Sequence, residues 1–257
     1  MKTIPLSYQK NVRDLGGLRG EKNRPIKEGR LFRGGSLHRV SEEDIESLNQ
    51  LHLTDIIDFR GSEEFIHKPD YRLEGVEYYN IPLINTKIKK DDRKKDDGNL
   101  LWFIDKGNNG HKYLQGQYQE LIIDPRCQES FRLTFNILLI DENRRVYFHC
   151  SQGKDRAGVM AYLLETALGV SEVDKMNDYL YSNIAMEEKV NNLLESIKRK
   201  PFFNEEYHQS LLDVFSAKEE YLLEAIQAME EMSGSPLNYI KDVLGVDIDK
   251  LRKIYLK

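Results

Sequence analysis

Only two of the 257 residues are cysteine, Cys127 and Cys150. That is too few for a disulfide framework, so the fold must rest on an apolar core. Any thiol chemistry must then use a reduced cysteine, which suits the cytoplasm and leaves signal-independent export open. Proline is scarce, at seven residues. No Pro-rich or Gly/Ser-rich linker divides the chain, which reads as a single domain over 1–257. No apolar run approaches the roughly 18 residues that a membrane-crossing helix needs. The opening Met1-Lys2-Thr3-Ile4-Pro5 lacks the apolar core of a signal peptide. Positive charge is not in excess: 38 Lys and Arg stand against 43 Asp and Glu, a net charge of −5. A general nucleic-acid surface is therefore not expected. The metal patterns H-x-E, H-E-x-x-H and paired cysteines are missing, and no cofactor is implied.

What the sequence does have is concentrated around Cys150. Val146, Tyr147 and Phe148 are β-branched or aromatic and read as a short buried strand. The polar loop Ser151-Gln152-Gly153-Lys154-Asp155 follows. From about Asp155 the chain is apolar through Val159, Met160, Ala161, Tyr162, Leu163 and Leu164, and it stops at Gly169, as a buried helix does. A cysteine thus sits at a strand end, with Arg156 six residues later in the first turn of a helix. Loop and helix-start N–H groups have no intrahelical acceptors and can bind phosphate oxygens. Arg156 adds a planar fork for two of them. The same positive end favours the thiolate of Cys150, the reactive form. Gly153 permits a backbone turn that a side chain could obstruct.

The rest of the chain reads as a few strands with helices between them, then a run of helices. Residues 1–40 look irregular with short strands, one of them Leu31-Phe32-Arg33. Arg13, Asp14 and Arg33 read first as a polar network tying this segment down. Ser41 caps a helix with Ile45, Leu48 and Leu51 on its buried face. The stretch 54–60 reads as a central strand ending in charge; Asp58 there is either a site residue, since ligands collect at such ends, or a partner of Arg60. A third strand covers 76–83. The mixed charge run 87–97 is a solvated insertion or a basic lid, and the lid insertion is placed at about 85–120. Helices are expected over 113–123 and 129–140, with Cys127 in a Pro-containing loop between them, a bystander rather than a redox partner of Cys150. Further helices are expected over 173–183, 186–199, 204–215 and 218–232. Ser235-Pro236 starts one more, which Gly245 stops, and Asp247 caps the last.

His149-Cys150-Ser151-Gln152-Gly153-Lys154-Asp155-Arg156 resembles the HCxxGKDR signature of the bacterial protein-tyrosine phosphatases related to mycobacterial PtpB and the Listeria tyrosine/lipid phosphatase. Asn11-Val12-Arg13-Asp14-Leu15-Gly16-Gly17, Leu31-Phe32-Arg33-Gly34-Gly35-Ser36-Leu37 and Ile57-Asp58-Phe59-Arg60 match that family in the same order. The likeness covers nearly the whole chain. It implies an α/β fold of the cysteine-phosphatase type, a central sheet flanked by helices, with a helical lid insertion and C-terminal helices. It also implies a phosphate monoester hydrolase in which Cys150 attacks phosphorus and residues 150–156 hold the phosphate.

Three acids are candidates to protonate the leaving oxygen. Asp155 is favoured by a similar loop in inositide phosphatases; Asp58 and Asp105 are the others. Lys154 is either a phosphate contact or a substrate-selecting charge at the rim. Ala157 stands where many relatives carry Ser or Thr, which predicts slower breakdown of the phosphocysteine. Phosphotyrosine, alone or together with phosphoserine/threonine or phosphoinositides, is the leading substrate, and Tyr78, Tyr79, Trp102 and Phe103 are candidate pocket walls. A phosphoinositide or inositol-polyphosphate phosphatase and a weakly active phosphate-binding module are the alternatives.

Overall fold

The computed structural model describes residues 2–83, 109–199 and 204–257. Six strands form one sheet in the order β1-β2-β3-β6-β4-β5. They are β1 (Lys2–Thr3), β2 (Arg13–Asp14), β3 (Leu31–Gly34), β4 (Asp55–Asp58), β5 (Glu77–Asn80) and β6 (Val146–His149). The pairs β3–β6, β6–β4 and β4–β5 are parallel, while β1 and β2 extend the sheet antiparallel. The last strand in the chain thus lies in the middle of the sheet, and the loop after it opens at the carboxyl ends of its neighbours.

Strand periodicity decides which side chains go where. Leu31, Ile57, Val146 and Phe148 point into the larger core, and Phe32, Ile56 and Tyr147 into a smaller one on the opposite face. All seven are essentially inaccessible, as expected of parallel strands covered on both faces. The larger core is built with α3 (Gly110–Ile123), α4 (Pro125–Leu138), α5 (Arg156–Leu168), α8 (Glu219–Ser233) and the C-terminal α9 (Ile248–Tyr255). The smaller one is closed by α1 (Glu42–Asn49). Among the described residues, further helices are α2 (Ser62–His67), α6 (Glu172–Lys198) and α7 (Glu205–Phe215). Leu194, Ile197, Tyr207, Leu211 and Val214 make a separate apolar cluster between α6 and α7.

Most helix starts follow their sequence signals. Ser41 and Asp44 close a capping box on α1, Ser235 caps the turn at Pro236–Asn238, and Asp247 caps α9. Gly169 ends α5 in the left-handed region at φ 79°. Two expectations are corrected. Cys127 is not in a loop: Asp124 caps α4, Pro125 occupies its first position, where no N–H is needed, and Cys127 is buried in the first turn. The helices expected at 173–183 and 186–199 are one, α6, because Ile184 and Ala185 between them contain no breaker. The charge run 87–97, Trp102, Phe103 and Asp105 lie outside the described residues. Among the described residues, no helix is long and apolar enough to cross a membrane.

Candidate active site

Cys150 follows directly on β6 and is 3% exposed. The loop beyond it is held from outside by its carbonyls. Ser36 N–H donates to Ser151 O at 3.3 Å, Asn11 Nδ2 to Gln152 O at 3.1 Å, and Arg33 Nη2 to Gly153 O at 2.8 Å. In a trans peptide the C=O and N–H point in opposite directions. Anchoring three successive carbonyls outward therefore turns the N–H groups of Gln152, Gly153 and Lys154 the other way. The loop thus has the backbone geometry that an anion cradle requires. Gly153 is obligatory on two counts. Its φ is 70°, and a Cβ there would lie 2.2 Å from the carbonyl oxygen of Gly34.

The anchoring residues are themselves fixed. Arg13 Nε and Arg33 Nη1 both donate to the buried carboxylate of Asp178 on α6, at 2.6 and 2.5 Å. Burial opposes that carboxylate's charge, but Arg33 and Arg13 hold its pKa below the ordinary range. Arg13 Nη1 also holds Asn11, at the side-chain oxygen (2.5 Å) and at the carbonyl (3.1 Å). Asp14 accepts from Gly16 N–H at 2.8 Å and Gly29 N–H at 2.6 Å. The polar-network reading of Arg13, Asp14 and Arg33 is the one the fold adopts. Asp178 was not legible in the sequence, because it sits mid-helix 165 residues from Arg13.

Arg156 opens α5, and its guanidinium is held from one side by Glu64 of α2. Nη1 meets Oε2 at 2.7 Å and Nη2 meets Oε1 at 3.0 Å. Glu64 also accepts from Ser151 Oγ and from Gly61 N–H. This bidentate grip fixes the guanidinium beside the loop. Nη1 also lies 3.4 Å from Phe59 O and Nη2 3.4 Å from Ser151 Oγ, so among the described residues Nε is the guanidinium N–H with no partner. Burial alone would raise the carboxyl of Glu64. The hydrogen bonds and charge of Arg156, with Ser151 and Gly61 behind them, outweigh it and hold its pKa at about 2. Burial likewise opposes the charge of Arg156, and Glu64 more than restores it. Sequence reasoning missed Glu64; its one signal is Gly61-x-x-Glu64, an acid positioned to cap its own helix.

A pH prediction follows from Glu64. A depressed folded pKa adds stability that is complete above the ordinary value of 4.5 and fades as pH falls towards 2. The side chain is 42% exposed, so solvent screening keeps the effect small. The stability difference between wild type and Glu64→Gln, from urea melts, should be present at neutral pH and shrink below about pH 4.5. A difference that does not change with pH would rule the ion pair out as its source.

Asp155 occupies the N-cap position of α5 without a side-chain capping bond, and its side chain is 31% exposed. Its Oδ1 accepts from Tyr118 Oη at 2.7 Å. Lys154 is not at the rim. It is 1% exposed, and its ammonium donates to the carbonyls of Val214 (2.5 Å) and Ser216 (3.1 Å) at the end of α7. Those carbonyls have no intrahelical partner, and a cation at a helix C-terminus satisfies them. The side chain expected to touch phosphate or select substrate instead ties the loop to α7, although its N–H belongs to the cradle.

Asp58, a catalytic candidate in one reading, takes up the other, as the partner of Arg60. Arg60 Nε lies 2.9 and 3.0 Å from its two oxygens, and Nη2 lies 2.7 Å from Oδ2. Arg60 continues to Asp70 at 2.9 Å, and Asp70 to His149 Nε2 at 3.0 Å. Asp58, Asp70 and His149 offer ligand-type atoms within 4.8 Å of one another, but the Arg60 guanidinium already serves both carboxylates as their cation. Tyr78, a proposed pocket wall, packs in the smaller core and bonds Leu73 N–H and Tyr71 O; Tyr79 packs against the larger one. Tyr113 of α3, which sequence reasoning did not single out, lies within the fields of Arg156, Asp155 and Glu64.

A sheet with parallel central strands and a thiol at the end of one of them, an outward-anchored loop and an oriented arginine is a fold of the cysteine-phosphatase type. The chain belongs to the tyrosine phosphatase family, whose model matches residues 4–257, and is a phosphoric monoester hydrolase of the protein-tyrosine-phosphatase type. A Cupriavidus necator protein, whose name assigns it provisionally to the tyrosine-protein phosphatases, is 28% identical over 260 positions, covering 96% of this chain and 85% of its own. The triple specificity protein phosphatase PtpB of Mycobacterium tuberculosis is 24% identical over 260 positions, covering 90% of this chain and 92% of its own. A tyrosine-protein phosphatase of Nostoc commune is 29% identical over 154 positions, 59% of this chain and 48% of its own.

Proposed function

We propose that the chain hydrolyses phosphotyrosyl residues in two steps through a phosphocysteine. The Cys150 thiolate attacks phosphorus; the S–P bond forms as the P–O bond to the tyrosine oxygen breaks. Asp155 gives that oxygen its proton. Water, deprotonated by the same carboxylate, then attacks phosphorus and releases phosphate and the thiolate. Arg156 and the N–H groups of Gln152, Gly153 and Lys154 stabilise the equatorial oxygens in both steps, and Ser151 lies beside Arg156. The observation that carries this reading is the set of three outward-bonded carbonyls; among the described residues, the loop N–H groups of Gln152, Gly153 and Lys154 have no scaffold acceptor.

The name of the mycobacterial relative supports a specificity wider than phosphotyrosine. The phosphoinositide alternative drew on Gly153-Lys154-Asp155 and on the basic insertion; the insertion lies outside the described residues, and the burial of the Lys154 ammonium takes away one support. Turnover of a phosphotyrosyl peptide beside a soluble phosphoinositide tests the choice; activity on the lipid alone would reverse it.

Ala157 is fully buried behind the loop. No hydroxyl at that position can bond the sulfur as it leaves phosphorus. Rapid-quench experiments should therefore show a phosphoenzyme that accumulates, and Ala157→Ser should reduce it. If neither protein accumulates phosphoenzyme, slow breakdown of the intermediate is excluded, and with it any support Ala157 lends to a weakly active phosphate-binding module.

A further inference from the structure

We infer that Tyr118 is a positioning residue for the reaction: it pins one oxygen of Asp155, so that the other carries the proton to the leaving group. This rests on Asp155 being the acid of the proposed mechanism. Tyr118 is fully buried on α3, and its hydroxyl meets both Asp155 Oδ1 and the hydroxyl of Tyr179, each at 2.7 Å. The polarity of this chain is set by chemistry. A carboxylate oxygen only accepts, so Tyr118 spends its single proton on Asp155. Tyr179 must then donate to the oxygen of Tyr118. Lys154 Nζ lies 3.4 Å from the same Oδ1. Among the described residues, no hydrogen bond engages Oδ2.

The two oxygens of Asp155 are therefore unequal. Oδ1 is held by groups that stay protonated, since burial pushes the phenols of Tyr118 and Tyr179 well above their ordinary range. Oδ2 remains for the proton. In the first step the Oδ2–H bond breaks as the leaving oxygen takes the proton, while S–P forms and P–O breaks. In the second step water returns a proton to Oδ2 as its oxygen bonds phosphorus and S–P breaks. A carboxyl free to rotate would divide its proton between two oxygens and many directions, whereas one pinned by a buried tyrosine presents it along one. Tyr118 and Tyr179 belong to separate helices, α3 and α6, so rotation of the acid is resisted by both.

The test uses aryl phosphates whose phenols range from strongly acidic dinitrophenol to weakly acidic phenol. A good leaving group departs without help, and a poor one needs the proton. Tyr118→Phe keeps the packed ring and should lose about tenfold in kcat/KM on phenyl phosphate, roughly one charge-assisted hydrogen bond. It should lose almost nothing on dinitrophenyl phosphate, with inhibition by inorganic phosphate unchanged. Asp155→Asn should show the same selectivity with a larger loss. Equal loss across the series in Tyr118→Phe, or none, overturns the role of Tyr118. A flat series in Asp155→Asn removes the acid itself, and the role of Tyr118 with it. Should Tyr118→Phe melt early, Tyr179→Phe reads the same chain, because it removes only the donor to Tyr118. A selective loss there supports the proposal, and a flat one ends it.

Discussion

Cys150→Ser is expected to lower turnover of a phosphotyrosyl peptide by on the order of 10⁴-fold or more, with little change in melting temperature. The substitution exchanges one atom in a side chain that is 3% exposed, so packing barely changes. The chemistry changes completely. Sulfur attacks phosphorus and leaves it far more readily than a serine oxygen does. Binding should survive, because Arg156, Glu64 and the outward-anchored loop remain. The variant should still bind inorganic phosphate and should retain a phosphotyrosyl peptide in a pull-down. Activity that persists would remove Cys150 as the nucleophile, and loss of phosphate binding would mean that the cradle itself depends on the sulfur.

Asp178→Ala should be the most destabilising of the charge deletions. Arg13, Arg33 and Asp178 are each at most 2% exposed, and the carboxylate is the anion between two guanidinium groups. Removing it leaves two buried cations facing each other, and breaking a buried ion pair in this way costs about 3–5 kcal/mol. Function should suffer in the part that still folds. Arg33 carries the Gly153 carbonyl, and Arg13 carries Asn11, which carries Gln152. Freed carbonyls can rotate inward, where they would repel phosphate. The expected result is a lower midpoint in urea together with weaker phosphate inhibition at temperatures where the variant is still folded. A destabilised variant with wild-type phosphate affinity would separate the network from the loop.

The site was legible wherever its chemistry is written in contiguous residues. Residues 150–156 need only a strand before them and a helix after them, and local pattern supplies both: buried aromatics at Tyr147 and Phe148, then an apolar run stopped by Gly169. What failed was of two kinds. Helix boundaries slipped where a proline stands at a permitted first position, as at Pro125, and where no breaker marks an end, as at Ile184. Side-chain destinations also slipped. Lys154 belongs to the right stretch, but its partners, Val214 and Ser216, come from another element, whereas Asp58 meets the Arg60 that its own stretch offered and only Asp70 behind it was out of reach of local pattern.

The sequence alone determined the class of fold, the placing of Cys150 at a strand end and of Arg156 at a helix start, and the glycine at the loop's turn, because strand, loop and helix start are local structures and their spacing is covalent. Tertiary structure alone decided what holds them. Glu64 reaches Arg156 across 92 residues, Asp178 reaches Arg13 across 165, and Tyr118 reaches Asp155 across 37. The physical reason is that a buried charge or carbonyl is satisfied by whichever donor or acceptor packing brings within 3 Å or so, and that choice is made when helices dock, not where residues stand in the chain.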